Sequence, residues 1–237
     1  MRTVLITGAN SGIGFSSIKL FLNNGYKVFA HYNSNKNNLD IIEDKNLILF
    51  QANFMNLNET EELFNNILKI TKTIDVLVNN AGLYSPVESF NDLGLEVFDD
   101  VLNVNLKSPF LLSQKFINLM KSYNRGRIIN ISSIGVKYGG SPTSMSYTIS
   151  KSALETMTIA FAKEGAKYNI LVNALRVGVT NTEIHNISKN KNMDNRIKMI
   201  PLQRIAEPEE IAEYILFLAS PKSSFTTGSI ITVAGGE

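Results

Sequence analysis

Short apolar runs alternate with longer amphipathic segments along almost the whole chain, and this alternation constrains the fold more than any other feature. The runs are rich in Val, Ile and Leu, as in strands whose two faces are both covered by helices. Repeated strand–helix–strand units predict an α/β fold with a parallel, doubly wound, seven-stranded sheet. The predicted strands are Thr3–Thr7, Lys27–His31, Leu47–Gln51, Asp75–Asn79, Arg127–Ile131, Ile170–Ala174 and Ser229–Val233.

Helical patterns fill the intervals between these strands. Asn58 followed by Glu61 resembles a capping box, and Pro208 suits the first turn of the last helix. With neither a repeat nor a linker, residues 1–237 are expected to form a single domain, with a polar substrate lid near residues 179–200. The predicted helices span residues 12–24, 58–72, 96–122, 147–167 and 208–219, with a weaker helical pattern over residues 35–45.

Composition excludes several classes of function. A net charge of +2 gives no basic field for a nucleic-acid partner, and the absence of cysteine excludes disulfides and thiolate metal sites. The first strand leads into glycine by residue 8, which leaves no room for a signal peptide, and no apolar run reaches the ~20 residues of a membrane span. The two histidines, His31 and His185, lack metal-site spacing. We therefore expect a cytoplasmic protein without a metal and without a membrane partner.

The first strand runs directly into a glycine-rich loop, TGANSGIG, over residues 7–14. Glycines at this position let the backbone approach a diphosphate, which backbone N–H groups and the start of the next helix stabilise. The spacing G-x-x-x-G-x-G is one residue longer in its first gap than the common dinucleotide fingerprint. No Gly-Lys-Ser/Thr follows, so the loop is not of the Walker type. A bound dinucleotide is predicted, although a plain strand-to-helix turn can also require glycine.

The end of the second strand bears on the choice of dinucleotide. An acidic residue there would hold the adenosine ribose hydroxyls of NAD, but Tyr32, Asn33 and Ser34 are neutral and Lys36 follows. A 2′-phosphate would be tolerated and could pair with Lys36. NADP is therefore favoured over NAD, the alternative being that Lys36 is a solvated loop charge.

The stretch SMSYTISK, residues 144–151, places Tyr147 four residues before Lys151 at the start of a helical pattern. Residues at this interval lie on one helix face. A neighbouring ammonium group favours the phenolate and would lower the phenol pKa towards the range of an acid/base catalyst. The same spacing also occurs by chance in ordinary helices.

Taken in order, the glycine loop, Asn79-Asn80-Ala81-Gly82, Asn105, Ser133 and Tyr147-x-x-x-Lys151 resemble the short-chain dehydrogenase/reductase family. The resemblance covers essentially the whole chain and is closest to members like 3-oxoacyl-[acyl-carrier-protein] reductase. It implies a Rossmann fold and hydride transfer between a nicotinamide and a ketone or secondary alcohol. The substrate could be a 3-oxoacyl thioester or a polar, sugar-like compound.

The resemblance also implies roles for individual residues. Tyr147 would be the acid/base, Lys151 would keep it acidic and bind the nicotinamide ribose, and Ser133 would bind the substrate oxygen. Asn105 would support a water leading from Lys151 to solvent. The family pattern places cofactor contacts at Gly8, Asn10, Ser11, Gly12, Ile13, Gly14, Tyr32, Asn33, Ser34, Asn53, Asn80, Ala81, Gly82, Tyr147, Lys151, Gly178 and Thr182.

Three departures from the family pattern leave questions open. The interval from Ser133 to Tyr147 is one residue longer than is common, so Ser132 is the alternative serine. Val177 stands before Gly178 where proline is usual. Tyr168 replaces the basic residue that carrier-using reductases tend to have before the sixth strand. Although Arg125 and Arg127 remain, use of an acyl carrier is left open.

Two expectations concern the whole molecule. The predicted helices 96–122 and 147–167 carry more apolar residues than one core face needs, which predicts a homotetramer or homodimer. His31 is expected near the adenosine and His185 in the lid. The rival hypothesis is a catalytically idle dinucleotide-binding sensor or scaffold, which would have no need of an Asn-Ser-Tyr-Lys set.

Overall fold

The computed structural model describes residues 1–182 and 193–237, in which seven parallel strands form one sheet. The strand order is β3-β2-β1-β4-β5-β6-β7, so the chain reverses its winding direction between β1 and β4. The predicted doubly wound α/β fold of the Rossmann type is confirmed. The strands are β1 Thr3–Ile6, β2 Lys27–Tyr32, β3 Leu47–Gln51, β4 Val76–Asn79, β5 Gly126–Ser133, β6 Ile170–Val177 and β7 Ile230–Val233.

Helices cover both faces of the sheet. On one face α1 packs against α8, and on the other α4 packs between α2 and α6. No helix among the residues described is long and apolar enough to cross a membrane. The helices are α1 Gly12–Asn23, α2 Leu57–Ile70, α3 Leu95–Leu102, α4 Ser108–Lys121, α5 Gly135–Tyr138, α6 Met145–Gly165, α7 Met193–Lys198 and α8 Pro208–Ala219.

The two helical layers explain why the strands are so apolar. Successive side chains of β1 point to opposite faces. Val4 and Ile6 join the core beneath α1 and α8, while Leu5 joins the core beneath α2 and α4. All four residues of β1 are buried, which leaves no position for a solvent-facing polar residue.

The long helix predicted over residues 96–122 is confirmed as an unbroken helical run over residues 95–121, but it is not α-helical throughout. It is divided into α3, a π-helical turn over Asn103–Lys107, and α4. Pro109 lies in the first turn of α4 and lacks the N–H that an uninterrupted helix would use there. The weaker pattern over residues 35–45 forms only a 3₁₀ turn, Asn37–Ile41.

The predicted capping box at Asn58 is two residues out of place. The N-cap of α2 is Asn56, whose side chain accepts a hydrogen bond from the N–H of Asn58 (3.1 Å). Glu59, three residues after this cap, accepts from the side chain of Asn56 (3.2 Å) and from the N–H of Asn53 (2.6 Å). At α8 the prediction holds, since Pro208 lies in the first turn.

Candidate active site

A cleft of about 450 Å³ opens at the carboxyl ends of the strands, where the winding direction reverses. Ligands of open α/β sheets bind at this point because the loops on its two sides diverge. The cleft is lined by Gly8, Asn10, Ser11, Gly12, Ile13, Asn80, Ala81, Gly82, Ile131, Ser132, Ser133, Tyr147, Lys151, Val177, Gly178, Thr180 and Thr182.

The glycine loop forms one wall of this cleft, and two of its glycines are required by the backbone. Gly8 and Gly12 have backbone φ angles of +60° and +50°, which residues with a side chain rarely adopt. A Cβ at Gly8 would also lie 2.7 Å from the Cα of Ala81, and one at Gly12 2.7 Å from Cγ2 of Thr182. Gly14 does not line the cleft, contrary to the prediction. It packs against the loop itself, where a Cβ would collide with the carbonyl oxygen of Gly8.

Residues at the end of β4 hold this loop in place through hydrogen bonds. The Asn80 side chain donates to the carbonyl oxygens of Thr7 (2.9 Å) and Gly8 (2.8 Å). In return, the Thr7 hydroxyl accepts from the N–H groups of Asn80 and Ala81, both at 3.0 Å. Asn79 is buried instead and donates to Ser113 and Asn130 inside the molecule. The Asn-Asn-Ala-Gly motif therefore fixes the loop that faces the cleft.

The opposite wall of the cleft carries Ser133, Tyr147 and Lys151. The Ser133 side chain is hydrogen-bonded to the phenol of Tyr147 in the sense that lowers the phenol pKa, and Ser133 Oγ accepts from the N–H of Gly135 (3.2 Å). The Ser132 hydroxyl donates to Glu155 (2.7 Å). Of the two candidate serines, Ser133 is thus the one bonded to the phenol.

The pKa of Tyr147 does not follow the expectation from its spacing to Lys151. Burial raises the pKa of Tyr147, and the hydrogen bond from Ser133 only partly offsets it. Burial also lowers the pKa of Lys151 to about 8. The Lys151 ammonium donates to the carbonyl oxygen of Ile131 (2.7 Å) and lies 5.7 Å from the centre of the Tyr147 ring. The pKa of Tyr147 is thus raised rather than lowered as expected, because burial is its largest influence and Lys151 is not among the groups that shift it.

Asn105 lies in the π-helical turn and is fully buried. Its side chain accepts from the N–H of Leu83 (2.7 Å) and donates to the carbonyl oxygen of Leu83 (2.9 Å) and to Ser150 (3.0 Å). Lys151 Nζ and Asn105 Oδ1 lie 3.7 and 3.8 Å from where a Cβ on Gly82 would be. Asn105 thus ties the segment after β4 to the helix that carries Tyr147.

A smaller cleft of about 160 Å³ adjoins the first and shares four residues with it, Gly8, Asn10, Ala81 and Gly82. Asn33 and Asn53 line it, as the sequence predicts for the adenosine side. Tyr32 instead belongs to the buried core, and Ser34 is exposed and lines neither cleft. Lys36 lies 3.6 Å from Asp40 in an ion pair whose two side chains are about half exposed.

His31 has a structural role here that the sequence did not indicate. It is only 2% exposed, and its Nδ1 accepts from the N–H of Gly8 (3.2 Å). Nε2 therefore carries the proton and donates to the carbonyl oxygen of Ala52 (2.8 Å). The ring stacks on Phe54 with 3.9 Å between centroids, and burial lowers its pKa to about 4. A neutral His31 links the glycine loop to the end of β3.

Residues 183–192 of the predicted lid, 179–200, fall outside the described residues. Thr182 lies at the cleft edge beside Gly12, while His185 and the rest of residues 183–192 lie beyond the description. Arg196, in α7, pairs with the side chain of Glu237 (2.5 Å). Among residues 1–182 and 193–237, no three His, Cys, Asp or Glu side chains are grouped to hold a metal ion.

A glycine loop at the switch point of a doubly wound sheet, beside a buried Tyr–Lys pair, defines a dinucleotide-dependent oxidoreductase of the Rossmann class. Comparison with known proteins makes this specific, because a family model described as enoyl-(acyl carrier protein) reductase matches residues 8–237. The chain belongs to the short-chain dehydrogenase/reductase family, whose members act on CH–OH and C=O groups.

Individual relatives are similar over nearly their whole length. The 3-oxoacyl-[acyl-carrier-protein] reductase FabG of Thermotoga maritima is 36% identical over an alignment of 241 positions that covers 99% of this chain and 97% of the relative. The 3alpha-hydroxysteroid dehydrogenase of Mediterraneibacter gnavus is 33% identical over 99% of this chain and 96% of its own. A solved 4-hydroxyisoleucine dehydrogenase complexed with NADH has a TM-score of 0.91 and 32% identity, with 100% and 98% of the two chains covered.

Proposed function

We propose that this protein transfers a hydride between NADP(H) and a ketone or secondary alcohol, with Tyr147 as the acid/base. The observation that supports this best is the hydrogen-bonded pair Ser133 and Tyr147, one helical turn from Lys151, in the cleft beside the glycine loop. The single sheet is also consistent with one catalytic domain over residues 1–237.

The described residues fit a dinucleotide. Side chains are excluded at Gly8 and Gly12 by φ and by close neighbours, which would let the backbone of the loop approach a diphosphate at the start of α1. Asn10, Ser11 and Ile13 line the same cleft, as do Gly178 and Thr182, and Thr182 lies beside Gly12. The smaller cleft beside Asn33 and Asn53 would take the adenosine.

The nicotinamide, when bound, supplies or accepts the hydride. Tyr147 would donate its phenol proton to the carbonyl oxygen during reduction, since burial keeps the phenol protonated. Ser133 would hold the same oxygen where negative charge develops. Lys151 would bind the nicotinamide ribose and stabilise the phenolate after transfer. Asn105 would maintain the backbone around Leu83 beside Lys151.

The choice of NADP(H) is supported by the neutral end of β2, which offers a ribose no carboxylate. Lys36, which follows this strand end, would pair with a 2′-phosphate. NAD(H) is the second candidate, because Lys36 is already paired with Asp40 and because the 4-hydroxyisoleucine dehydrogenase is complexed with NADH.

The substrate is proposed to be a small carbonyl or alcohol compound, either a 3-oxoacyl thioester or a polar, sugar-like molecule. The similarity to FabG supports the thioester and possible use of a carrier. Against a carrier, Arg125 is paired with Asp75 and Arg127 donates to backbone carbonyl oxygens. Around Tyr168, Lys121 and Lys167 lie within 5.3 Å of the ring centre, and Lys121 is also paired with Glu164 (2.7 Å).

A panel of acyl thioesters, sugars and small ketones or alcohols, followed by NADPH or NADH absorbance, tests the proposed activity. We expect at least one compound to be turned over by the wild-type chain and not by Tyr147→Phe. Binding of cofactor without turnover of any compound would favour the idle sensor or scaffold instead.

Assembly as a homodimer or homotetramer is proposed from the surface of α4 and α6. Phe110 and Ile159 are 40% and 42% exposed, and Phe110 stacks on Phe161 with 5.7 Å between centroids. Phe116, Met120 and Leu154 are buried in the chain's own core and are not available to a partner. Pairing of α4 and α6 with their two-fold copies would cover the exposed set.

Light scattering coupled to size exclusion tests this assembly. We expect a dimer or tetramer, which Ile159→Glu should dissociate, because a charge at the centre of an apolar interface is left without a partner. Ile41→Glu is a matched control, since Ile41 is 73% exposed in the 3₁₀ turn far from α6. A wild-type monomer at micromolar concentration would contradict the proposal.

A further inference from the structure

Behind the catalytic wall, three polar side chains from three elements meet. Arg176 of β6 makes a two-pronged ion pair with Glu155 of α6, with 3.0 Å from Nε to Oε1 and 2.6 Å from Nη2 to Oε2. Ser132 of β5 donates to the same Oε1 at 2.7 Å. The Glu155 side chain is 9% exposed, so these bonds are largely removed from water.

Each member of this cluster is directly connected to a residue that lines the cleft. Ser132 precedes Ser133, and Glu155 follows Lys151 by four residues on the same helix. Arg176 lies opposite Ser132 in the register of β5 and β6 and is two residues before Gly178. The cluster therefore joins the strand that carries Ser133 to the helix that carries Tyr147 and Lys151.

The alternation of side chains along β5 explains how the cluster of Ser132, Glu155 and Arg176 could set the position of Ser133. Successive residues point to opposite faces, so a bond that fixes the direction of Ser132 towards α6 also fixes the direction of Ser133. Ser133 in turn bonds the phenol of Tyr147. Replacement of a buried ion pair by apolar residues is often neutral or stabilising, so stability alone is a weak reason for this one. Two-pronged pairing does fix the mutual orientation of its partners.

We propose that Glu155 is a positioning residue, which through Ser132 and Arg176 sets the placement of Ser133 and Lys151 against Tyr147 and thereby controls kcat. The proposal rests on the proposed hydride-transfer function. It assigns Glu155 no contact with substrate or cofactor.

The first test compares Glu155→Gln with Asp75→Asn. Asp75 is a matched control because its side chain is also 9% exposed and also pairs with an arginine, Arg125, but at the amino ends of the strands, away from the cleft. We expect Glu155→Gln to lower kcat about 10- to 100-fold, which is the scale of a small misplacement of catalytic groups, with cofactor Kd within about threefold. Asp75→Asn should lower Tm and leave kcat unchanged.

Assays run well below the Tm of each variant separate positioning from folding. A purely structural role would lower Tm in Glu155→Gln while the folded enzyme kept its kcat, and that result would overturn the proposal. Ser132→Ala should also reduce kcat. The double variant with Glu155→Gln should lose less than the product of the two single effects, because both act through one hydrogen bond.

A readout without turnover keeps the inference separate from the proposed function. The ultraviolet titration of the Tyr147 phenol is obtained as the difference between each protein and its Tyr147→Phe counterpart. Displacement of Ser133 removes a bond that lowers the phenol pKa, so Glu155→Gln should raise that pKa further and Asp75→Asn should not. If Glu155→Gln left the phenol pKa unchanged, the positioning role would be overturned, even if the wild-type chain turned over no compound. If Glu155→Gln raised the phenol pKa although the wild-type chain turned over no compound, the positioning role would be supported and the proposed function contradicted.

Discussion

The two ends of the cleft are held in different ways. At the catalytic end, buried charges are fixed by two-pronged or backbone hydrogen bonds, as in Glu155–Arg176 and Lys151. At the other end, in the smaller cleft proposed for the adenosine (the adenosine end), the supporting groups are neutral. His31 accepts a hydrogen bond from the glycine loop, and Asn33 and Asn53 line the pocket. Buried charges thus lie where the chemistry is proposed. At the adenosine end the charges of Lys36 and Asp40 lie on the exposed rim, where the choice between NADP(H) and NAD(H) would be made. Catalysis and cofactor choice should therefore be separable by mutation.

The largest expected effect is the loss of turnover in Tyr147→Phe. Removal of the hydroxyl removes proton transfer, which contributes about 10²–10⁴-fold, without removing a group that bonds the glycine loop. Steady-state kinetics should show this loss in kcat, while NADPH titration should give a Kd within a few-fold of wild type. Wild-type turnover in a folded Phe variant would show that the catalytic end is not where the chemistry occurs.

An intermediate effect concerns His31 and the pH dependence of stability. Its pKa in the folded chain is about 4, below the ordinary 6.5, so the unfolded chain binds the extra proton first. Stability from this group is complete above pH 6.5 and is lost as pH falls to about 4, by about 3 kcal/mol in total.

Urea unfolding of wild type and His31→Gln at several pH values isolates this contribution, since all other groups are common to both. The difference between the two curves should decrease in the window from pH 6.5 to 4. A constant difference would mean that the adenosine end does not depend on a neutral imidazole.

The smallest expected effect is on cofactor preference. Lys36→Ala should lower the NADPH/NADH ratio of kcat/KM about fivefold, and Asp40→Asn should raise it, because the lysine is freed from its partner. Lys45→Ala provides a control at another exposed lysine near β3. If neither variant at the pair changes the ratio, the adenosine end selects its cofactor without this charge.

The sequence was sufficient for the order of elements and for many of the residues that line the main cleft, although Ile131, Val177 and Thr180 were not predicted. Strand periodicity and motif spacing are local properties, so they predicted the sheet and the glycine loop, while the association of Ser133 with Tyr147 was implied by the resemblance to the family. What it missed depends on tertiary burial. The raised pKa of Tyr147 and the bond from His31 to Gly8 arise only when distant segments exclude water. Glu155 and Arg176 are 21 residues apart and carry no motif that would pair them.

The π-helical turn at Asn103–Lys107 has a consequence for how this chain can diverge or be redesigned. Such a turn holds one residue more than an α-helical turn, and one residue corresponds to about 100° of rotation. A single deletion here would let α3 continue smoothly into α4 and turn Leu112 and Phe116 away from the sheet they now pack against. The segment can therefore tolerate changes in residue type more readily than changes in residue number, and insertions or deletions in related chains should fall elsewhere.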